Sequence, residues 1–297
     1  MKGRTGKILH SDLAFDTIVN AIGATIVLIV LVPLIFVIAA SFSDPDLVIR
    51  GEVLLWPKGF TTKAYTMVFE NEDIWRGFIN SCFYTVAGTT ISVVLTILAA
   101  YPLSRGNFQG RNIFMMLILF TMYFNGGMIP TYLLVRNLGM YNTVWALLIP
   151  AALSTYNLIV AKTFFENSIP GELYEAGTLD GCNNMQMLLR IVLPLSKAIL
   201  AVLVLYYAVD IWNAYFDALI YIRDEDMHPL QIVLRNILLL GQTEQMGTND
   251  AGMAEKVKMA EAVKYSAIVV SSIPMLLIYP FVQKYFVKGV MIGAVKG

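Results

Sequence analysis

The sequence predicts an all-α integral membrane protein with six transmembrane helices, and three observations carry that prediction. Of 297 residues, 57% are hydrophobic and 14% are charged, against roughly 45–50% and about 25% in ordinary soluble domains. The mean hydropathy is +0.66. The charges are also missing in blocks: residues 17–43, 77–104, 112–135, 137–161 and 265–283 contain none. About 20 apolar residues carry a helix across a ~30 Å hydrocarbon core, so each block is long enough to be a span.

The first span is read over 18–42, around TIVLIVLVPLIFVIAA, after a short amphipathic lead-in bearing Lys2, Arg4 and Lys7. It is too long for a cleaved signal peptide, it lacks a small-x-small site, and similar sequence recurs along the chain. The second span is read over 78–103 and the third over 112–131. The third ends in the stretch Tyr123 to Pro130, where two glycines and a proline end or loosen a helix. The fourth is read over 141–165. The fifth, 197–222, opens on AILAVLVLYYAV and then meets Asp210 and Asp217. The sixth is read over 265–287. Six spans leave both termini on one side, and the basic residues of the short segments there, Arg105, Arg111, Lys162, Arg190 and Lys197 among them, set that side as cytoplasmic. The outer loops are then 43–76 and 223–264. Residues 1–297 form a single transmembrane domain, since no loop much exceeds the ~40 residues needed to fold unaided.

Composition and motif spacing exclude several functions. With 21 basic and 21 acidic side chains the net charge is zero, so no strong field recruits nucleic acid. Two cysteines and two distant histidines, His10 and His228, make neither a disulfide framework nor a metal centre. No G-x-x-x-x-G-K-[ST], H-E-x-x-H or G-x-S-x-G occurs; Gly3-Arg-Thr-Gly6-Lys7-Ile8 has the wrong spacing for a phosphate loop. No catalytic residue is expected, and no cofactor bound by the chain itself.

The most informative segment is 168–194, between the fourth and fifth spans. Its residues predict two short helices at an angle. Ser168 is positioned to cap the first, with Pro170 in its first turn and Glu172 near its positive end. Gly181 supplies a φ > 0 stop. Asn183 with Gln186 three residues on reads as a capping box for the second helix, and Pro194 marks a break before the fifth span. A polar helix-turn-helix held between two spans suits docking into a partner's groove.

The pattern Glu175-Ala176-Gly177-x-x-Asp180-Gly181, nine residues, then Ile191-x-Leu193-Pro194 resembles the EAA loop of permease subunits in binding-protein-dependent ABC importers. Gly177 stands for the motif's second alanine, Cys182 for a common alanine and Leu188 for a frequent aromatic. Trp212-Asn213 and the tail Gln283 to Gly297 look like the carbohydrate branch that contains the maltose permease. Asn125 to Gly139 looks like a Gram-positive subgroup handling plant-polysaccharide or uronate oligosaccharides. The resemblance implies a type I ABC importer permease fold with a cytoplasmic coupling helix-turn-helix, in a bacterial cytoplasmic membrane, importing a carbohydrate. It implies as partners a second permease subunit, an ATPase dimer holding ATP and Mg, and an extracellular or lipid-anchored sugar-binding protein, with membrane lipid around the spans. By the same analogy Glu175 ion-pairs with the ATPase, Gly181 makes the tight turn and Asp180 caps or braces the loop.

Tyr206, Asp210, Asn213 and Asp217 are spaced 4, 3 and 4, so a continuous helix puts them on one face. Two readings fit. Asp210 and Asn213 line or gate a sugar path, with Tyr206, Tyr207 and Trp212 nearby and Asn125 from the broken third span. Alternatively the stripe clamps helices together, and Trp212 and Tyr215 belong to an aromatic belt. Asp210 suits a uronate poorly, since like charges repel; an acidic cargo requires it paired, protonated or turned away. The tip of the second outer loop, Gly247, Thr248, Asn249, Asp250, Ala251 and Gly252, is small and polar and fits a binding-protein cleft in the family's manner, or is a plain connector. Two rivals stand beside the carbohydrate reading: an ABC importer for another solute, and an ion-coupled secondary transporter using intramembrane acids.

Overall fold

A computed structural model describes residues 10–243, 260 and 263–280. Among them all regular structure is helical. The chain divides into two compact units, one of residues 1–70 with 236–270 and the other of 71–235 with 271–297.

In the first unit, α1 (His10–Ser41) carries the longest apolar run; its residues 15–35 are exposed, and only its end, Ala39, Ala40 and Ser41, is buried within the chain. An apolar stretch of helix with no covered face has lipid or another subunit as its solvent. Serines finish it: Ser43 Oγ donates back to Ala39 O at 2.6 Å and Ser41 Oγ to Ile38 O at 2.8 Å. Asp44 then caps α2 (Pro45–Ile49) through Asp46 N at 2.9 Å. Phe42 stacks on Phe60 and leans on Tyr65, which lies in α3 (Lys63–Glu70).

The second unit is built around α4 (Glu72–Ser104), capped by Asn71, whose Oδ1 accepts from Ile74 N at 3.0 Å. Its buried face is a stripe of small residues, Gly77, Ser81, Thr85, Gly88, Ser92, Thr96 and Ala100. Such a stripe lets neighbouring helices approach closely. Those neighbours are chiefly α8 (Thr155–Ser168) and α12 (Lys197–Asn213). At Gly88 an added Cβ would lie 2.8 Å from Ile211 Cδ1 and 3.2 Å from Leu148 Cδ2.

Several expected spans are divided. The third is α5 (Arg111–Tyr123) and α6 (Met128–Asn137), bent by 115°. Phe124 is extended and Gly127 sits at φ 91°, so the glycines and proline do interrupt the helix. The stretch 141–165 is not one helix: a turn, α7 (Trp145–Leu148), is followed by Pro150, and Ser154 then caps α8 through Asn157 N at 3.4 Å. A proline without an N–H and a serine that captures the backbone end one helix and start another. At 14 residues, α8 alone is only about 21 Å long. The fifth span stops at Asn213, and α13 (Phe216–Tyr221) follows. Between α8 and α12 lie α9 (Gly171–Leu179), α10 (Asn184–Met187), a π-helical turn Leu188–Val192 and α11 (Leu193–Leu195). After a 3₁₀ turn Glu225–Met227 come α14 (Leu230–Thr243) and α15 (Val263–Pro280). Among the described residues, three single helices, α1, α4 and α15, are long and apolar enough to cross a membrane, and two bent pairs, α5 with α6 and the 184–195 segment with α12, pass the same test together.

Gly88→Leu is expected to wedge α4 from α12 and lower stability by about 1–3 kcal/mol, the usual range for overpacking. Gly106→Ala, with open space at its Cβ, should change it by less than about 0.5 kcal/mol. Thermal unfolding in detergent reads both.

Candidate functional site

The 168–194 loop is fixed by its own backbone chemistry. Ser168 does not cap its first helix; it is the last residue of α8, and α9 begins at Gly171 with Pro170 in the cap position and no side-chain cap bond. Pro170 supplies a preset φ, and its carbonyl takes the N–H of Leu173 at 3.2 Å. The other end of α9 closes in a Schellman arrangement. Cys182 N donates to Gly177 O at 2.9 Å and Gly181 N to Thr178 O at 3.1 Å, with Gly181 at φ 77°. Asp180 occupies the C-cap and donates its N–H to Ala176 O at 2.9 Å. Two residues later the capping box forms as read: Gln186 N donates to Asn183 Oδ1 at 2.8 Å and Asn183 N to Gln186 Oε1 at 2.9 Å. Pro194 lies inside α11 rather than at the break. The chain turns by 85° between the 184–195 segment and α12, at Ser196.

The two arms of the loop interlock at Gly177. It is buried, and a Cβ there would overlap Met187 and come within 3.2 Å of Ile191 Cδ1. Glycine in place of the motif's alanine is thus matched by a methionine that fills the space. Leu193 is half-buried and Pro194 exposed. The outward face of α9 presents Glu175, Ala176 and Leu179, the last 88% exposed. Glu175 borders a shallow recess with Arg105, Tyr174, Thr178 and Leu179. The Arg105 guanidinium lies over the Tyr174 ring, 3.4 Å from its centroid. Burial pushes the Tyr174 phenol pKa up, and the nearby guanidinium opposes that rise. At the junction of α5 and α8, Glu166 pairs with both Arg111 and Lys162, the latter at 2.7 Å.

A second feature lies deeper in the same unit. A cavity of about 130 Å³ is lined by Ser81 and Tyr84 of α4, Leu147, Leu148, Ala151 and Ser154 around α7, Tyr207, Asp210 and Ile211 of α12, and Ala214, Asp217, Ala218 and Pro229. Its walls are tied together. The Tyr207 hydroxyl bonds Thr96 Oγ1 at 2.7 Å and accepts from Ser154 N at 3.1 Å. Tyr84 donates to Met227 O at 2.8 Å, and Ser81 accepts from Leu230 N at 2.9 Å. Asn142, at φ 55°, accepts from Arg223 N and Asp224 N at 2.8 and 3.0 Å and so anchors the end of α13. Among the described residues, neither Asp210 nor Asp217 has a hydrogen-bond donor or a cation paired with it.

Of the residues expected along a path, the structure brings Tyr207 and Asp210 to this cavity, and Asp217, expected only on the same helix face, joins them. Tyr206 packs against Tyr156 at a centroid distance of 6.4 Å. Trp212 is 3% exposed, donates to Ser271 O at 3.2 Å and meets Phe78 edge-on, which makes it a helix clamp. Asn213 donates back to Val209 O at 2.8 Å. Asn125 accepts from Gly127 N at 2.8 Å and braces the α5–α6 bend. The shared face assumed a helix continuous to residue 217; α12 ends at Asn213, so Asp217 reaches the cavity from α13, beyond the break at Ala214 and Tyr215. Sequence reading missed Ser81, Tyr84, Ser154 and Arg105, whose only signals were polar residues on an otherwise apolar helix and a basic residue at its end. Gly247 to Gly252, and the tail from Gln283, lie outside the described residues.

The family profile described as binding-protein-dependent transport system inner membrane component matches residues 92–292. The chain is 41% identical to the polygalacturonan/rhamnogalacturonan transport system permease protein YtcP of Bacillus subtilis, over 95% of this chain and 98% of that one. It is 42% identical to protein LplC of the same organism, over 91% and 90%. It matches a chain from the crystal structure of a bacterial ABC transporter involved in the import of the acidic polysaccharide alginate, with a TM-score of 0.85, 34% identity, and coverage of 95% of this chain and 100% of that one.

Proposed function

This chain belongs to the family of binding-protein-dependent transport system inner membrane components, and from that premise we propose that it is one of two permease subunits of an ATP-driven carbohydrate importer. It crosses the cytoplasmic membrane six times with both termini inside, counting each bent pair and the α7–α8 stretch as one crossing each. The 168–194 loop then faces the cytosol and docks on an ATPase dimer that holds ATP and Mg. This chain has no phosphate-binding loop and hydrolyses nothing. The observation that carries the reading is the loop itself: a Schellman turn and a capping box brace two short helices, and the braced face carries Glu175 beside the exposed Leu179. A docked partner would find a carboxylate and an uncovered leucine side by side on this face. A second permease and lipid share the uncovered apolar surface of α1, and an extracellular sugar-binding protein delivers the cargo, an oligosaccharide.

The cavity holding Asp210 and Asp217 forms part of the sugar path. Two carboxylates without counter-ions accept hydrogen bonds from sugar hydroxyls and oppose an anionic ring; at an effective dielectric constant of about 20, like charges ~6 Å apart repel by about 3 kcal/mol. YtcP is named for polygalacturonan and rhamnogalacturonan and the alginate system for an acidic polysaccharide. The present chain's cavity favours a neutral segment of cargo. The same unpaired acids keep an ion-coupled secondary transporter as the second reading.

Two outcomes test this in the assembled complex reconstituted in vesicles. Glu175→Ala is expected to lower cargo uptake by about tenfold or more while the partner's ATP hydrolysis continues, the loss of a charge-assisted contact costing about 1.5–3 kcal/mol. Uptake that survives ATP depletion and follows a proton gradient would instead establish the second reading. Asp210→Asn with Asp217→Asn is expected to raise uptake of a uronate oligosaccharide, relative to its neutral carboxyl-reduced analogue, by about tenfold or more; an unchanged ratio would remove the two acids from the path.

A further inference from the structure

Nucleotide-driven motion of the 168–194 loop has two covalent exits, back into α8 through Ile169 and forward into α12 through the π-helical turn and the bend at Ser196. The helix at the centre of the unit, α4, is on neither route, yet it supplies Ser81 and Tyr84 to the cavity wall. Packing against α8 and α12 reaches α4 along its length, and its cytosolic end touches the loop directly.

Arg105 is the C-cap residue of α4, its N–H donating to Pro102 O at 3.1 Å. Its guanidinium covers the Tyr174 ring at 3.4 Å, and Tyr174 is the residue before Glu175 on α9. The apolar cluster beneath the loop holds chiefly the second arm: Met187, Leu188 and Val192 are buried there with Ile97, Ala100 and Tyr101 of α4. From α9, Tyr174 packs against that cluster, and Gly177 meets Met187. The first arm, which displays the docking carboxylate, is thus held to α4 through Tyr174, and Arg105 pins that ring from the solvent side. A guanidinium stacked on a ring is directional, since sliding off the face forfeits the interaction.

We propose that Arg105 is a positioning residue: stacked on Tyr174, it latches the coupling helix α9 to α4, so that movement of the docked loop is delivered to the cavity wall along α4 as well as through α12. This rests on the reading of the loop as the ATPase dock.

The chain's two cysteines report on the two ends of the link. Cys182 is in the loop and Cys82 is on α4, each half-buried. Cys82 lies about 34 Å from Arg105 along a helix rising ~1.5 Å per residue. Single-cysteine forms, each retaining one of these, are assembled with the partner subunits. Alkylation by N-ethylmaleimide is followed on this chain's peptides by mass spectrometry, first without nucleotide and then after trapping with Mg, ATP and vanadate. Trapping is expected to change both rates by about threefold or more, as a population shift of the whole assembly requires. Arg105→Ala is expected to preserve the Cys182 change and to reduce the Cys82 change to within about 1.5-fold of none, whereas Arg105→Lys restores at least about half of it and Tyr174→Phe, which keeps the ring, matches the parent. If Arg105→Ala fails to assemble, Tyr174→Leu removes the ring from the other side and should show the same loss. A Cys82 change that survives these substitutions, or a parent Cys82 rate indifferent to trapping, overturns the latch. A parent Cys182 rate indifferent to trapping overturns the docking reading beneath it.

Discussion

A helix that breaks in a protein this poor in charge exposes backbone donors and acceptors that hydrocarbon cannot satisfy. That constraint governs the second unit, because each of its interruptions carries a local remedy. At the α5–α6 bend Asn125 takes Gly127 N, and Thr131 N reaches Gly127 O at 3.3 Å. Before α8, Ser154 caps the new helix while its own N–H is taken by the Tyr207 hydroxyl. At the α12–α13 break Ala214 N returns to Ile211 O at 3.2 Å and Leu219 N to Tyr215 O at 2.9 Å. These breaks also shape the cavity, whose lining comes from the broken segments around α7, α12 and α13 together with the unbroken α4. Interrupted helices and the cavity are thus two aspects of one arrangement, joined most directly at Tyr207.

The same chemistry explains what could be read from the chain before its coordinates. The helical class followed from blocks of missing charge, which are long and few. The 168–194 loop was legible at Gly181 and the Asn183–Gln186 pair, which do locally what their residue types do in any helix end, but not at Ser168, which ends α8, or Pro194, which lies inside α11. The boundaries of the third, fourth and fifth spans were not legible, because apolar runs measure length without saying whether the helix inside them is continuous. Pro150 and Ser154 were visible, yet their effect depends on Tyr207 arriving from α12. The polar stripe of the fifth span was read across the end of α12 at Asn213, with Asp217 beyond it on α13, and a spacing of three and four defines a face only while the helix lasts. Trp212 turned from a path residue into a clamp because its partner, Ser271, lies 59 residues away.

The coupling loop and the cavity belong to one unit, and α4 serves both. Its small-residue stripe admits α8 and α12, its wall residues Ser81 and Tyr84 face the cavity, and its last residues meet the loop. In this arrangement the loop need not be large to matter. Tyr174, Gly177 and Met187 make its arms one body, and a rigid body moves its attachments together.

The central claim is that the face carrying Glu175 and Leu179 rests against an ATP-hydrolysing partner. A photo-crosslinking amino acid at position 179, the most exposed leucine of the loop, tests it in the assembled complex within native membranes. The account predicts a crosslink to the ATPase subunit whose yield changes when Mg, ATP and vanadate are added. Crosslinks to the extracellular binding protein or to lipid alone, with none to the ATPase in either condition, would contradict it.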